Sequence, residues 1–226
     1  MEIRFLGQSC FQLTDGSTNV LIDPFLTGNP KAAAKADEVE ATTILLTHGH
    51  GDHFGDTLDI AKRTGAPVGA IVEIANEVGE EGLDVADPNL GGTVVYDWGW
   101  ARWVPAWHTS TTPKGTVNTP AGIVINFKDT IVYHLGDTAL FSDLALPGHR
   151  DEIDVALVCI GGHYTMDRHD AVHAAGLVGA QRVIPCHYDT FPPIETDAEA
   201  YKSDVESSTS AECIVLAPGE SLEPGT

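Results

Sequence analysis

The amino-acid sequence predicts an α/β protein in which two β-sheets pack face to face between outer helices, a four-layer αββα sandwich. Short apolar and β-branched runs occur in two clusters along the chain, and helical patterns lie beside each cluster. Residues 155–160 form one continuous apolar run, as expected for a strand that is buried on both faces. Because both faces of such a sheet need a cover, layered packing follows. With 226 residues, 42% of them hydrophobic, we expect a single domain over residues 1–226.

The individual elements are predicted from periodicity and from turn residues. Strands are predicted at residues 3–6, 10–14, 19–23, 42–47, 68–72, 94–96, 101–107, 123–127, 130–135, 155–160, 182–186 and 213–216. Helices are predicted at residues 54–63, 73–78, 170–178 and 198–206. Asp15-Gly16 and Lys128-Asp129 are predicted to turn between neighbouring strands. Residues 80–90 are predicted to form an acidic loop, and the chain from Pro218 onward a frayed tail.

Charge is the unusual feature of the composition. The chain has 33 Asp and Glu residues against 12 Lys and Arg residues, a formal net charge of −21. Such a chain repels long nucleic acids and anionic membranes, so neither is an expected partner. The excess acid fits either a halophilic source, where salt screens the repulsion, or an ordinary acidic cytosolic protein.

Cysteine spacing and hydropathy bear on the compartment. The four cysteines are widely spaced and form no CxxC motif, which argues against a disulfide framework. The first residues lack the apolar stretch of a signal peptide, and no window approaches the ~20 apolar residues of a membrane-spanning helix. A cytoplasmic protein is the expectation.

The most informative motif is THGHGDH at residues 47–53, which follows the apolar run at residues 42–46. Neutral imidazole and carboxylate suit zinc and related divalent ions, and the glycines let the loop turn sharply. His48 and His50 alternate and can hold one ion, while Asp52 and His53 turn away and can hold a second.

Four further motifs accompany this loop, namely Asp23 in NVLIDP, His108 in AWHTS, Asp137 in HLGDT and His187 in PCHYDTFPP. Together and in this order they resemble the signature of the metallo-β-lactamase superfamily. The finer pattern, with GGT at residues 91–93, YHLGDT and PCHYDTFPP, resembles a branch of small metal-dependent hydrolases that is similar to ascorbate-phosphate lactonase-like proteins.

This resemblance implies a metallo-β-lactamase fold with a dinuclear metal centre. His48, His50 and His108 are the expected ligands of one ion, Asp52, His53 and His187 of the other, and Asp137 is the expected bridge. Zinc is the expected metal, although manganese or nickel also fits these ligands. Asp23 is expected to orient a ligand histidine.

The expected reaction is metal-dependent hydrolysis, in which a metal-bridging hydroxide cleaves a small ester, lactone or phosphate-type substrate. Asp52 is a candidate catalytic group because it can accept a proton from the nucleophile. Alternatives are a phosphodiesterase or nuclease for small nucleotides, or a metal-binding sensor without turnover. We expect a small-molecule substrate as partner, and the chain is compatible with a homo-oligomer.

Several other side chains have two interpretations. His163 and Tyr188 are either catalytic, as an acid or oxyanion donor, or loop-packing residues. Trp107 either lines an apolar pocket, or packs in a hairpin like the other tryptophans, Trp98, Trp100 and Trp103. His134 is expected to be a satisfied strand histidine, and His169 and His173 to lie on a solvated helix face.

Overall fold

The computed structural model describes residues 1–225, which form two seven-stranded sheets. The strands are β1 (Glu2–Gly7), β2 (Cys10–Thr14), β3 (Asn19–Ile22), β4 (Thr43–Leu45), β5 (Val68–Gly69), β6 (Val85–Ala86), β7 (Thr93–Tyr96), β8 (Gly99–Pro105), β9 (Ala121–Phe127), β10 (Thr130–His134), β11 (Val155–Cys159), β12 (Arg182–Cys186), β13 (Glu212–Cys213) and β14 (Ser221–Leu222). The helices are α1 (Gly51–Phe54), α2 (Thr57–Thr64), α3 (Val72–Gly79), α4 (Leu146–Arg150), α5 (Arg168–Val178) and α6 (Ala198–Ser208). Two short 3₁₀ helices lie at Ser142–Ala145 and Pro192–Ile194.

Both sheets are half antiparallel and half parallel. The first sheet has the order β14-β1-β2-β3-β4-β5-β6, and its strands are parallel from β3 to β6. The second has the order β13-β12-β11-β10-β9-β8-β7, and its strands are parallel from β10 to β13. Parallel neighbours end at the same edge of a sheet, so the chain repeatedly emerges at one edge of each sheet.

Three apolar layers hold these elements together and confirm the predicted αββα sandwich. Residues of both sheets form the middle layer, and the outer layers lie under α2 and α3 on one side and under α5 and α6 on the other. Strand β9 shows how one strand contributes to two layers. Ile123 and Ile125 face the middle layer, whereas Val124 faces the outer layer. Because both faces are buried, no polar alternation marks this strand in the sequence.

Several predicted boundaries are wrong for local reasons. The helix predicted at 54–63 is two helices, because the chain turns at Gly55, where φ is +42°. An added Cβ at Gly55 would clash with the Pro24 carbonyl oxygen, so this turn needs glycine. The strand predicted at 68–72 ends at Gly69, and α3 already begins at Val72.

Two segments predicted as irregular contain strands. Residues 80–90 include β6, which pairs in parallel with β5. The tail predicted to fray carries β14, where Leu222 pairs with Ile3 of β1.

Two further predictions concern a strand end and a turn. The strand predicted at 213–216 ends at Cys213. The turn at Lys128-Asp129 is confirmed, since both residues have the positive φ values, 51° and 67°, of a tight hairpin.

Among residues 1–225, the helices are all too short or too polar to cross a bilayer.

Candidate metal centre

The predicted metal ligands lie just beyond the carboxyl ends of strands from both sheets. Asp23, the expected orienting residue, follows β3 directly, and the loop with His48, His50, Asp52 and His53 follows β4. The second sheet supplies the other three ligands, which are His108 after β8, Asp137 after β10 and His187 after β12. The edge shared by the two sheets therefore collects side chains that are far apart in sequence.

Asp137 lies at the centre of this cluster. Its Oδ2 atom is 3.1 Å from Nε2 of His187, 3.6 Å from Nε2 of His108 and 4.0 Å from Nε2 of His48. Its Oδ1 atom is 3.3 Å from Nε2 of His53. One carboxylate thus faces four imidazoles, as a bridging ligand requires.

The remaining ligand atoms include two groups next to Asp137. The nitrogens of His48, His50 and His108 lie within 4.8 Å of one another. The second group, which meets the same limit, consists of Asp52, His53 and His187. The structure thus brings together all seven residues that the sequence analysis proposed as ligands. Both proposed groups are present, and Asp23, His48 and His53 form a further cluster that overlaps them.

Asp23 contacts the ligand His53 on the side of the ring that faces away from the centre. Its Oδ2 atom is 2.8 Å from Nδ1 of His53, and its two oxygens accept hydrogen bonds from the Thr47 amide and hydroxyl at 2.8 and 2.5 Å. A carboxylate at Nδ1 fixes that nitrogen as a donor and orients the ring, so that Nε2 of His53 faces the centre. Asp23 therefore has the contact expected of a residue that orients a ligand.

The buried atoms of the centre fit a divalent metal. Nε2 of His53 and Oδ1 of Asp137 are buried and have no hydrogen-bond partner, although they face each other. Unpaired polar atoms are costly inside a protein, and a cation bound by imidazole and carboxylate would satisfy both. His53 is fully buried and Asp137 is 2% exposed, so bulk water does not take this role.

The histidines of the first group are suited to bind metal at neutral pH. Burial lowers the pKa of His48, His50 and His108, and the neighbouring His53 lowers them further. Asp137 opposes this shift at His48 and His108 but does not reverse it. These imidazoles are therefore neutral and have a free lone pair.

The second group has the opposite electrostatics. Burial lowers the pKa of His187, but the negative charge of Asp137 and hydrogen bonds to Asp137 and Asp52 outweigh it and raise the pKa to about 9. Burial is outweighed in the same way at His53, where Asp137, Asp52 and Asp23 raise the pKa well above its ordinary value. A metal bound here must displace protons.

The loop that carries His48 and His50 is held by a small polar network. The Gly49 amide donates hydrogen bonds to Oγ of Ser110 at 2.9 Å and to Oδ1 of Asn118 at 3.2 Å. An added Cβ at Gly49 would meet Nδ2 of Asn118 at 2.6 Å and Cγ2 of Thr112 at 2.9 Å. Glycine is therefore needed for close approach to the 110–118 segment.

Gln8 is a supporting residue that the sequence analysis missed. Its Nε2 atom donates to Oδ2 of Asp52 at 2.9 Å, and its carbonyl oxygen accepts from the His187 amide at 2.8 Å. Gln8 is 1% exposed and has a φ of +56°, an uncommon backbone conformation for a residue with a side chain. The polar pair Gln8-Ser9 between two apolar strands was the available signal.

His134 has a hydrogen-bond partner at each ring nitrogen. Its Nδ1 atom accepts from the Gly136 amide at 3.0 Å, and Nε2 is 3.0 Å from the Ser9 carbonyl oxygen. Both ring nitrogens have partners, which confirms the expectation of a satisfied strand histidine. His169 and His173 are exposed on α5, as expected.

A cleft of about 690 Å³ opens onto the centre. Besides the ligands His50, Asp52, His108, Asp137 and His187, its lining residues are Gly51, Thr109, Tyr164, Phe191 and Pro193. Asp52, the candidate proton acceptor, lies in this cleft with 27% of its side chain exposed. Its catalytic role stays a prediction.

The structure does not bring the other two catalytic candidates into this lining. His163 is exposed and stacks edge-on against Tyr164, and it is Tyr164 that lines the cleft. Tyr188 is half-buried and lines a separate cavity of about 540 Å³ together with Phe5 and Leu216. The geometry therefore gives no support to a catalytic role for His163 or Tyr188.

The tryptophans mostly pack, as the hairpin interpretation predicts. Trp98 and Trp103 are buried, and their indole nitrogens donate to Oγ1 of Thr43 at 3.0 Å and to the Leu46 carbonyl oxygen at 3.1 Å. Trp107 is 68% exposed, packs near Phe141 and is absent from the lining of the cleft among the described residues.

Sandwiched sheets with histidine and aspartate ligands at their shared edge define the metallo-β-lactamase class of proteins. A family model described as a beta-lactamase superfamily domain matches residues 2–187, so the chain belongs to the β-lactamase superfamily. It is 47% identical over 223 residues to a UPF0173 metal-dependent hydrolase of Thermus thermophilus, with 98% of each chain covered. A UPF0173 metal-dependent hydrolase of Thermococcus kodakarensis is 44% identical over 225 residues, with 99% of each covered.

A solved structure agrees with these relatives. Igni18, a metallo hydrolase of the archaeon Ignicoccus hospitalis, superposes with a TM-score of 0.89 at 34% identity. The match covers 98% of this chain and 97% of Igni18. Fold and length are therefore shared over nearly the whole chain.

Proposed function

We propose that this chain is a dinuclear metal-dependent hydrolase that cleaves a small ester, lactone or phosphate-type substrate. Membership of the superfamily and relatives named metal-dependent hydrolases support the coarser assignment, a metal-dependent hydrolase. The observation that carries the dinuclear proposal is the position of Asp137 between two groups of three ligands. Zinc is the metal that we propose, because imidazole and carboxylate are its usual ligands.

Two bound divalent ions would lower the pKa of a water held between them and polarise the scissile oxygen of the substrate. The chain's own residues do the rest. His48 and His108 are held neutral, so the first ligand group is ready to bind before a metal ion arrives, and Asp23 orients His53 of the second group. Preorganised ligands need little rearrangement when charge develops.

Asp52 is the proton acceptor that we propose. Its partly exposed carboxylate lies in the cleft, whereas the carboxylate of Asp137 is buried. The hydrogen bond from Gln8 fixes one oxygen of Asp52 and leaves the other available. The carboxylate can therefore take a proton from an attacking water within reach of the substrate.

The proposed partner is a small molecule in this cleft. A volume of about 690 Å³ is typical of small-molecule sites. The net charge of −21 disfavours long nucleic acids. A cytoplasmic location and a homo-oligomeric state remain expectations from the sequence.

The test combines metal analysis with a substrate panel. The protein is stripped with a chelator, saturated with zinc, and its metal content is measured by elemental analysis. We expect two tightly held ions per chain and hydrolysis of at least one lactone, ester or phosphodiester that is lost on stripping and restored by zinc. A limit of one ion would contradict the dinuclear proposal, and metal-independent turnover would contradict the hydrolase mechanism.

A further inference from the structure

We infer that the cleft is built for an uncharged, apolar substrate, such as an ester or lactone of an alkyl or aryl acid, rather than for a phosphorylated or carboxylated one. This inference rests on the proposed function and names the substrate class of the same site. The argument concerns the part of the substrate that lies away from the metal ligands. It follows from the residues that line the cleft, from their rigidity and from the charge of the chain.

The lining beyond the ligands is neutral. Gly51, Thr109, Tyr164, Phe191 and Pro193 complete it, and no Lys or Arg side chain from residues 1–225 takes part. Proteins bind phosphate and carboxylate groups with Arg, Lys or clustered backbone amides. A substrate with an anionic tail would leave that charge without a partner in this cleft.

The wall formed by Phe191 and Pro193 is apolar and preformed. Pro193 lies in the short helix Pro192–Ile194, which Phe191 directly precedes and which is anchored by the fully buried Ile194. The Ile194 amide donates to the Phe191 carbonyl oxygen at 3.0 Å, and the Asp189 amide donates to the Ile194 carbonyl oxygen at 2.9 Å. The ring of Phe191 also lies 6.3 Å from the ring of Phe25. A rigid apolar wall binds a matching group with little loss of entropy.

Tyr164 supplies a second apolar surface of the same cleft. Its side chain is 54% exposed, yet the loop beneath it is tied down. The Gly162 amide donates to the Met166 carbonyl oxygen at 2.9 Å, and the Met166 amide donates to the Thr138 carbonyl oxygen at 3.1 Å. An exposed aromatic ring on a fixed loop beside the ligands suits contact with an apolar ligand.

The net charge of the whole chain also disfavours an anionic substrate. A net charge of −21 lowers the local concentration of anions around the protein. Metal ions in the centre would attract an anionic reacting group, but that attraction would not extend to a distant tail. The scissile group and the tail are therefore selected by different parts of the cleft.

The test uses zinc-loaded protein and 4-nitrophenyl esters that share one leaving group. A neutral series from acetate to hexanoate measures the effect of tail length, and the anionic hemisuccinate is compared with its neutral isostere, 4-methylpentanoate. We expect kcat/KM to rise roughly two- to fourfold for each methylene that reaches the wall, since a buried methylene contributes about 0.8 kcal/mol. The hemisuccinate should be the poorer member of its pair.

Three variants assign this preference to the wall. Phe191→Ala should flatten the dependence on tail length, and Phe191→Leu should restore most of it. Phe191→Arg should improve the hemisuccinate relative to 4-methylpentanoate. Trp107→Ala is the matched control, because it removes an exposed aromatic residue beside His108 that does not line the cleft.

The outcomes separate this inference from the proposed function. Metal-dependent hydrolysis that favours the hemisuccinate, or is independent of tail length, would overturn the inference and leave the hydrolase intact. A preference for phosphodiesters or phosphate monoesters over every carboxylic ester would do the same. Absence of any metal-dependent turnover would remove the proposed function, and the inference would fall with it.

Discussion

A single carboxylate connects the two ligand groups of this protein. Asp137 is 3.1 to 4.0 Å from imidazole nitrogens of His187, His53, His108 and His48. Its pKa is subject to burial, which raises it, but the charges of His187 and His53 hold it well below the ordinary value. The residue is therefore ionised in the metal-free protein, and in the proposed dinuclear centre its charge would contribute to the binding of both ions.

Replacing Asp137 with asparagine should disable the centre. Asp137→Asn keeps the shape but removes the negative charge, so at least one metal should bind more weakly. Activity should fall by more than the roughly 10–100-fold typical of removing a group that merely supports a ligand. Elemental analysis and turnover measure both effects, with His169→Ala/His173→Ala on the exposed face of α5 as the control. Near-normal turnover in Asp137→Asn would falsify the bridging role.

Gln8 offers a separate test of how the second ligand group is positioned. Gln8→Leu removes the hydrogen bond to Asp52, and we expect metal affinity at that group to fall roughly 10–100-fold. The matched control is Gln12→Leu, because Gln12 is also a buried glutamine of the same hairpin but donates to the Glu40 carbonyl oxygen. Zinc titration measures the metal affinity of both variants. If zinc affinity falls equally in both variants, the loss reflects a general loss of stability and not the hydrogen bond to Asp52.

The two ligand groups should respond differently to pH. In metal-free protein the pKa of His187 is about 9, above its ordinary value of about 6.5. The stability that its protonation contributes is complete below about pH 6.5 and is lost as the pH rises through about 9. Zinc competes with that proton, so affinity at the second group should rise over the same window. The first group, whose pKa values are lowered, should change little above pH 7.

Calorimetry at pH 7 in two buffers of different ionisation enthalpy measures this difference. Binding at the second group should release protons from His187 and His53, whereas binding at the first group should release almost none. Equal proton release for the two ions would contradict the division of the ligands into a neutral and a protonated group.

Among the structural elements, the β4–α1 connection determines whether the ligands converge. Its backbone is tied to the 110–118 segment through Gly49, and α1 begins within the motif, so Asp52 and His53 leave on a helical turn. A four-residue helix has little stability of its own, so this geometry depends on tertiary contacts.

Two glycines of this connection make a matched pair of variants. Gly49→Ala forces a Cβ against Asn118 and Thr112, and crowding of this kind costs about 1–3 kcal/mol. Metal affinity should fall together with stability, because the loop that carries His48 and His50 must shift. Gly51→Ala meets nothing within 4 Å and lies in α1, so it should be neutral or stabilising. Thermal melts and zinc titrations compare the two variants. If they behave alike, the close approach of Gly49 to the 110–118 segment is unimportant for the centre.

The molecule as a whole places its centre between two sheets. β3 and β4 of one sheet and β8, β10 and β12 of the other each lead to a ligand or its support. The middle apolar layer fixes the distance between these strand ends. The centre therefore exists only when both sheets are packed together.

Net charge is a property of the whole chain, and it predicts a response to salt. A charge of −21 destabilises the folded state by self-repulsion. Raising sodium chloride from 0.15 M to 1 M shortens the screening length from about 8 Å to about 3 Å. The melting temperature at saturating zinc should then rise, by about 2–4 °C for each kcal/mol of relieved repulsion in a chain of this size. A flat or falling melting temperature would argue against a halophilic source and would leave the metal centre unaffected.

Local sequence patterns determined much of this protein. The Lys128-Asp129 hairpin and the continuous apolar strand at β11 follow from turn chemistry and from burial on both faces, which neighbouring residues encode. The ligand types and their order along the chain could also be predicted, because imidazole and carboxylate side chains close together are typical ligands of zinc and related ions. The resemblance added the grouping of the ligands, which the geometry matches.

Tertiary structure alone decided the features that depend on distant segments. Gln8 reaches Asp52 across 44 residues, Leu222 pairs with Ile3 across nearly the whole chain, and Tyr164 rather than His163 lines the cleft. Periodicity reports which face of an element is buried, but not which distant residue meets it there. Such contacts follow from how two sheets pack, and that packing is a property of the whole core rather than of any segment within it.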